Sequence, residues 1–191
     1  NLLLFAIDVA IAAAPNWPQF RGPNATGIAA DARAPVEFGS GRNLLWKTPA
    51  PPGVSSPIVW GDRVFLTAFA SNQLVTLAYD ANTGRELWRR VAPAEKIERC
   101  HEFSSPASAT PCTDGQRVFA CFNSFGLLAY DFSGREVWQR PLPTLPVQYG
   151  SASSPVLIGG RLNVQRDGGA TNSHLLALDP ATGRTVWDAA R

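Results

Sequence analysis

The sequence predicts an all-β fold, a partial β-propeller of four-stranded antiparallel blades, with three clear blades plus part of another. Two observations carry this. The same order of features recurs three times at a spacing of about 50 residues, a period that marks a propeller blade when each unit holds four strands. Within each unit, short β-branched and aromatic runs alternate with Gly, Asp and Asn turns, the pattern of an antiparallel meander. Composition agrees. Gly and Pro stand at 16 each in 191 residues, which suits many turns better than long helices. A hydrophobic fraction of 45% supports a real core. Net charge is +2 without a basic run, which argues against nucleic acid as a partner.

The first unit runs Ser55-Ser56-Pro57, Gly61-Asp62-Arg63-Val64, Leu77-Ala78-Tyr79-Asp80 and Thr83-Gly84-Arg85-Glu86-Leu87-Trp88. The second runs Ser104-Ser105-Pro106, Gly115-Gln116-Arg117-Val118, Leu128-Ala129-Tyr130-Asp131 and Ser133-Gly134-Arg135-Glu136-Val137-Trp138. The third runs Ser153-Ser154-Pro155, Gly159-Gly160-Arg161-Leu162, Leu176-Ala177-Leu178-Asp179 and Thr182-Gly183-Arg184-Thr185-Val186-Trp187. Ser-Ser-Pro recurs at intervals of 49 and 49. Trp46 reads as the end of an earlier, poorly marked repeat, so blades are expected to end near Trp46, Trp88, Trp138 and Trp187.

In the first unit the strands read as 57–60, 63–67, 74–79 and 86–89, with turns at Gly61-Asp62 and Asn82-Thr83-Gly84. The Asp ending the third strand can accept hydrogen bonds from the backbone of the turn that follows. The Gly of that turn suits a left-handed backbone. The Trp of the outer strand can lie flat between blades, its N–H seeking an acceptor. A residue repeated in every blade serves the blade, so these tryptophans and the paired serines read as structural. No G-x-S-x-G and no phosphate-binding Gly loop occurs.

Residues 2–14 are apolar apart from Asp8, and Ala10-Ile11-Ala12 fits a signal-peptide cleavage site. The reading is a signal-peptide remnant over 1–14 and a propeller domain over 15–191, exported to the periplasm or secreted. The run is too short and too interrupted to span a membrane, so an integral membrane protein is not expected. Cys100, Cys112 and Cys121 are an odd set without metal-ligand spacing; they read as small buried residues, with one disulfide as the alternative.

Three segments now carry a resemblance. Ala78-x-Asp80-x-x-Thr83-Gly84-Arg85-x-x-Trp88 resembles the eleven-residue tryptophan-docking motif of quinoprotein (PQQ-type) propellers, with Arg for the usual Lys. Ala177-x-Asp179-x-x-Thr182-Gly183-Arg184-x-x-Trp187 matches equally, and Ala129-x-Asp131-x-Ser133-Gly134-Arg135-x-x-Trp138 matches with one residue deleted. The stretch from Asn16 to Asn24 is similar to the start of exported PQQ-like repeat proteins of planctomycetes and related bacteria. The resemblance covers Asn16 to Arg191. It implies a family holding both PQQ alcohol dehydrogenases and the cofactor-free outer-membrane assembly lipoprotein. The dehydrogenases carry an adjacent-cysteine disulfide, a calcium site with carboxylate and Asn ligands, and an Asp base. No Cys-Cys pair occurs here. The chain also has no Met. Such propellers close with six to eight blades, and three clear units are present here, so the ring is expected to continue past Arg191 or, alternatively, to be completed by pairing of copies.

Propellers bind at the central mouth, on loops leading into the inner strands and on loops between second and third strands. Here these are 50–56, 92–103 and 142–152, and 68–73, 122–126 and 166–173. His101 beside Glu102 can titrate, bind a metal or act as a base. Tyr149, Arg166 and Asp167 can reach the same mouth, Arg166 as an anion holder. His174 reads as the start of a third strand. No set of these residues makes a catalytic constellation. The expectation is a non-catalytic binding or scaffold module without a cofactor, serving an envelope protein, polymer or small ligand. The alternative is a fragment of a quinoprotein alcohol or sugar dehydrogenase using PQQ with calcium.

Overall fold

The computed structural model describes residues 16–30, 32–169 and 172–191. The signal-peptide reading of 1–14 lies outside these residues. Among the described residues, twelve strands form three antiparallel four-stranded sheets, each a simple meander. The first holds β1 (Ile58–Trp60), β2 (Arg63–Ala70), β3 (Gln73–Asp80) and β4 (Glu86–Val91). The second holds β5 (Cys112–Thr113), β6 (Arg117–Phe122), β7 (Gly126–Asp131) and β8 (Glu136–Pro141). The third holds β9 (Val156–Ile158), β10 (Arg161–Arg166), β11 (His174–Leu178) and β12 (Thr185–Ala190). Three consecutive blades of a propeller result. Among the described residues no helix is long and apolar enough to cross a membrane.

The middle blade is buried on both faces, and its alternation shows how. Along β7, Leu128 and Tyr130 join a core with Ile58, Phe65, Leu74 and Trp88 of the first blade. Their neighbours Leu127 and Ala129 join Leu162, Val164, Leu176 and Leu178 of the third. A strand's side chains alternate between its faces, so one continuous apolar run serves two interfaces.

The repeated turn works the same way in each blade. The Oδ1 atom of Asp80 accepts from the backbone N–H of Asn82 and Thr83 at 2.9 Å each, and from the Thr83 hydroxyl at 3.0 Å. Asp179 does the same with Ala181 and Thr182. Asp131, in the shortened turn, takes the N–H groups of Ser133 and Arg135 and the Ser133 hydroxyl. That hydroxyl and Arg135 hold the Asp131 carboxyl down at about 2.

Each turn then receives the Trp of the preceding segment. The indole N–H of Trp46 donates to Ala81 O at 2.7 Å, that of Trp88 to Phe132 O at 3.0 Å, and that of Trp138 to Pro180 O at 3.0 Å. The ring lies against the turn glycine: a Cβ on Gly134 would sit 2.7 Å from Trp88, and one on Gly183 2.7 Å from Trp138. The Ala of each repeat stands directly across the sheet from the Trp, as in the pairs Ala78–Trp88, Ala129–Trp138 and Ala177–Trp187. A bulge follows that Ala in all three blades. Arginines two residues past the Trp add a second staple. Arg90 Nε donates to Gly134 O at 2.6 Å, and Arg140 donates to Gly183 O at 2.8 Å and Thr185 Oγ1 at 2.6 Å.

Three expectations change. Trp46 does not close a strand: residues 44–50 are irregular, and Trp46 reaches the first blade from this extended chain. Ala68–Ala70 belongs to β2, leaving a two-residue turn at Ser71-Asn72, both with positive φ, the geometry of a tight hairpin. The register of the second blade also differs. Pro57, Pro111 and Pro155 each stand six residues before Arg63, Arg117 and Arg161, which open the second strands. Ala109-Thr110-Pro111 therefore occupies the place of Ser-Ser-Pro in that blade. Ser104-Ser105-Pro106 forms a separate turn before it, in which Ser108 Oγ donates to Ser105 O at 2.6 Å. The even 49-residue spacing is coincidental.

Candidate functional site

The first strands of neighbouring blades converge, with β5 touching β9. Just before them stand Ser56, Thr110 and Ser154, at equivalent positions. Ser56 N donates to Thr110 Oγ1 and Thr110 N to Ser154 Oγ, each at 3.0 Å. The hydroxyls of the second and third blades thus accept from the backbone of the blade before them. Ser55 Oγ meanwhile donates to Thr67 O and accepts from Thr67 N. These hydroxyls satisfy backbone groups that the first strands would otherwise leave open. Ser56, Thr110 and Ser154 border a cleft of about 530 Å³ where the inner strands begin, whose wall also includes Phe20, Val54, Phe103, Ser104, Ser108 and Ser153.

The segment Asn16–Gln19 crosses all three first strands. Trp17 pairs with Val59 through two backbone bonds, of 2.7 and 2.9 Å. Thr113 N donates to Pro18 O at 2.9 Å. Leu157 N donates to Gln19 Oε1 at 3.0 Å. Gln19 is 5% exposed, so its amide replaces water at that edge.

Of the five mouth candidates, the structure brings together two. The His101 ring lies 5.6 Å from that of Tyr149 and 5.3 Å from that of Phe103, centroid to centroid. His101 Nδ1 accepts from Phe103 N at 3.3 Å. Glu102 is exposed beside it. Arg166 and Asp167 stand apart, at the end of β10. Arg166 donates to Pro143 O, and Asp167 meets Gln165 Nε2 and Arg191 Nη1. His174 opens β11, its Nδ1 2.7 Å from Asp188 Oδ1.

A polar knot that sequence reasoning missed joins three mouth loops. Asn123 Nδ2 donates to Glu98 Oε2 at 2.5 Å and to Leu145 O at 3.0 Å, while its Oδ1 accepts from Leu145 N. Glu98 N donates to Ser124 Oγ at 2.9 Å. Burial raises the Glu98 carboxyl above its ordinary range, against the Asn123 side chain and the Ser151 backbone, and among the described residues its buried Oε1 makes no hydrogen bond within the usual limits. Glu98 stood in a charged loop, and nothing in its neighbours announced Asn123. The cysteines are free thiols. Burial pushes Cys121 up to about 11 and Cys112 well above its ordinary value, so both are poor nucleophiles.

The described lining of this cleft is polar through hydroxyls rather than through charge. Among the described residues, none of those lining it is Lys, Arg or His. Among the described residues no group of three or more His, Cys, Asp or Glu is placed to hold a metal.

Comparison with known proteins agrees with the architecture. A family model described as outer membrane protein assembly factor BamB matches residues 36–148. No curated protein sequence matches the chain. Among solved structures, a quinohemoprotein alcohol dehydrogenase from Comamonas testosteroni is similar over 93% of this chain and 27% of its own, with 20% identity and a TM-score of 0.65. A europium-containing methanol dehydrogenase is similar over 77% of this chain and 26% of its own, with 18% identity and a TM-score of 0.58. A BamB from Moraxella catarrhalis gives 21% identity over 68% of this chain and 33% of its own, with a TM-score of 0.48. The chain thus spans a third or less of these proteins, and the likeness to the two dehydrogenases shows the propeller fold alone.

Proposed function

The chain belongs to the family of PQQ-like propeller-repeat proteins described as outer membrane protein assembly factor BamB, and we propose that it serves as a non-catalytic binding module of the bacterial cell envelope. Its place is the periplasm or the cell exterior, and its partner an envelope protein, a polymer or a small ligand held at the mouth. One observation carries this reading: among the described residues, the cleft at the inner-strand ends is lined by hydroxyls and apolar groups, without a titratable side chain. General acid–base or redox chemistry there would need one, or a cofactor held by one. His101 and Glu102 lie outside that lining. The repeated residues support the same reading: each Asp closes its own turn, while the Trp indoles and the Thr110 and Ser154 hydroxyls bond from one blade to the next.

The test uses the full-length protein with PQQ and Ca²⁺, following the quinone's absorbance and dye reduction with a panel of alcohols and sugars. Neither saturable quinone binding nor turnover is expected. Turnover would overturn the reading in favour of a quinoprotein dehydrogenase. Alanine at His101 and Glu102 should leave partner binding no weaker than other changes in the same loop.

A further inference from the structure

We propose, resting on the binding-module reading, that the cleft at the inner-strand ends binds a neutral carbohydrate, a sugar ring of a glycan chain. The cleft has the volume of a small-ligand site, about 530 Å³. Among the described residues, its lining holds no Asp, Glu, Lys, Arg or His. A charged ligand would lose hydration there and meet hydroxyls but no opposite charge. A purely apolar ligand would leave the hydroxyls bare.

Those hydroxyls retain bonding capacity. Among the described residues, Ser56 Oγ and Ser153 Oγ have no hydrogen-bond partner. The hydroxyls of Thr110 and Ser154 accept one bond each, from Ser56 N and Thr110 N, and donate none. A hydroxyl both donates and accepts, which matches the rim of a sugar. Beside them stand two solvent-facing rings, Phe103 at 85% and Phe20 at 46% exposure. A sugar ring has an apolar C–H face that lies on such a ring while its edge reaches the hydroxyls. The combination of bare ring and unpaired hydroxyl is the chemistry of a pyranose.

An extended peptide fits less well. Strand addition needs free backbone groups on a sheet edge. The edge groups of Val59, Thr113 and Leu157 are already taken by Trp17, Pro18 and Gln19. The N-terminal segment therefore closes the strand edges and leaves side chains as the recognition surface.

The experiment is calorimetry of the full-length protein with maltohexaose, cellohexaose and N-acetylated chitohexaose. Polygalacturonate serves as the anionic control and a neutral seven-residue peptide as the peptide control. Saturable binding of at least one neutral saccharide is expected. Phe103→Ala should weaken it about five- to tenfold, the loss of one stacked ring. Ser56→Ala with Ser153→Ala should weaken it by a similar factor. The Phe103→Ala melting midpoint should stay unchanged, because the side chain is exposed. Binding indifferent to Phe103→Ala, equal binding of polygalacturonate, or preference for the peptide would overturn the proposal. Silence with all three saccharides, without quinone-dependent turnover, would remove the carbohydrate and leave the non-catalytic reading standing. Turnover would remove that reading itself.

Discussion

Replacing Gly134 by Ala isolates the contact that joins the first blade to the second. Gly134 has φ +82, where an L side chain costs about 1–2 kcal/mol. Its new Cβ would also sit 2.7 Å from two atoms of the Trp88 ring. That ring cannot easily retreat. It is 7% exposed, bonded to Phe132 O, and packed against Phe65 and Tyr130 at 5.9 and 5.8 Å. Overpacking of this kind adds about 1–3 kcal/mol. The total is roughly 2–5 kcal/mol. Gly159→Ala is the control: its φ is +56, but nothing lies within 4 Å of the added methyl, so only the backbone cost of about 1–2 kcal/mol remains. Urea unfolding of the full-length protein at constant slope reads the difference. In a Trp88→Ala background the Gly134 penalty should fall to the control's, a coupling of about 1–3 kcal/mol. Equal losses at Gly134 and Gly159 in the native background would refute the reasoning.

Arg140→Ala should cost about 1–2 kcal/mol in urea unfolding, since it breaks charge-assisted bonds to Gly183 O and Thr185 Oγ1, whereas the exposed Arg191–Asp167 pair should contribute less than about 1 kcal/mol. Asp131 is held below its ordinary 3.8, at about 2, by the Ser133 hydroxyl and Arg135. A depressed carboxyl favours folding above its unfolded value, and that contribution is lost as pH falls from about 4 through about 2, so Asp131→Asn should flatten acid unfolding there. Glu98 has the opposite sign: burial raises its pKa, so its stabilising contribution belongs to the protonated form and declines as pH rises through the raised value. Melting at pH 3.5 and pH 7 should show Glu98→Gln equal to or above wild type at pH 7, with the advantage gone at pH 3.5. Thiol labelling should modify half-buried Cys100 before Cys112, which should react only on unfolding.

The repeat, the meander and the turn chemistry were legible in the sequence because each is local. Asp80, Thr83 and Gly84 lie within five residues, and their bonds close inside that stretch. The alternating apolar runs likewise marked strands without reference to a partner. The Arg staple left a faint signal, Trp88-x-Arg90 and Trp138-x-Arg140, but its acceptors lie on the next blade.

Tertiary structure decided what depends on distant chain. Ser104-Ser105-Pro106 looked like the blade mark, yet pairing with β6 begins at Cys112, so Thr110 takes that place and meets Ser56 and Ser154. Glu98 finds Asn123 only when two loops are folded over one another, and Gln19 finds Leu157 across 138 residues. By itself the sequence determined the blade and the order of its parts, because backbone geometry and turn bonding are settled within a few residues. Which side chains face the mouth was decided by packing one blade on the next, because a strand buried on both faces has its orientation set by neighbours that the local sequence does not contain.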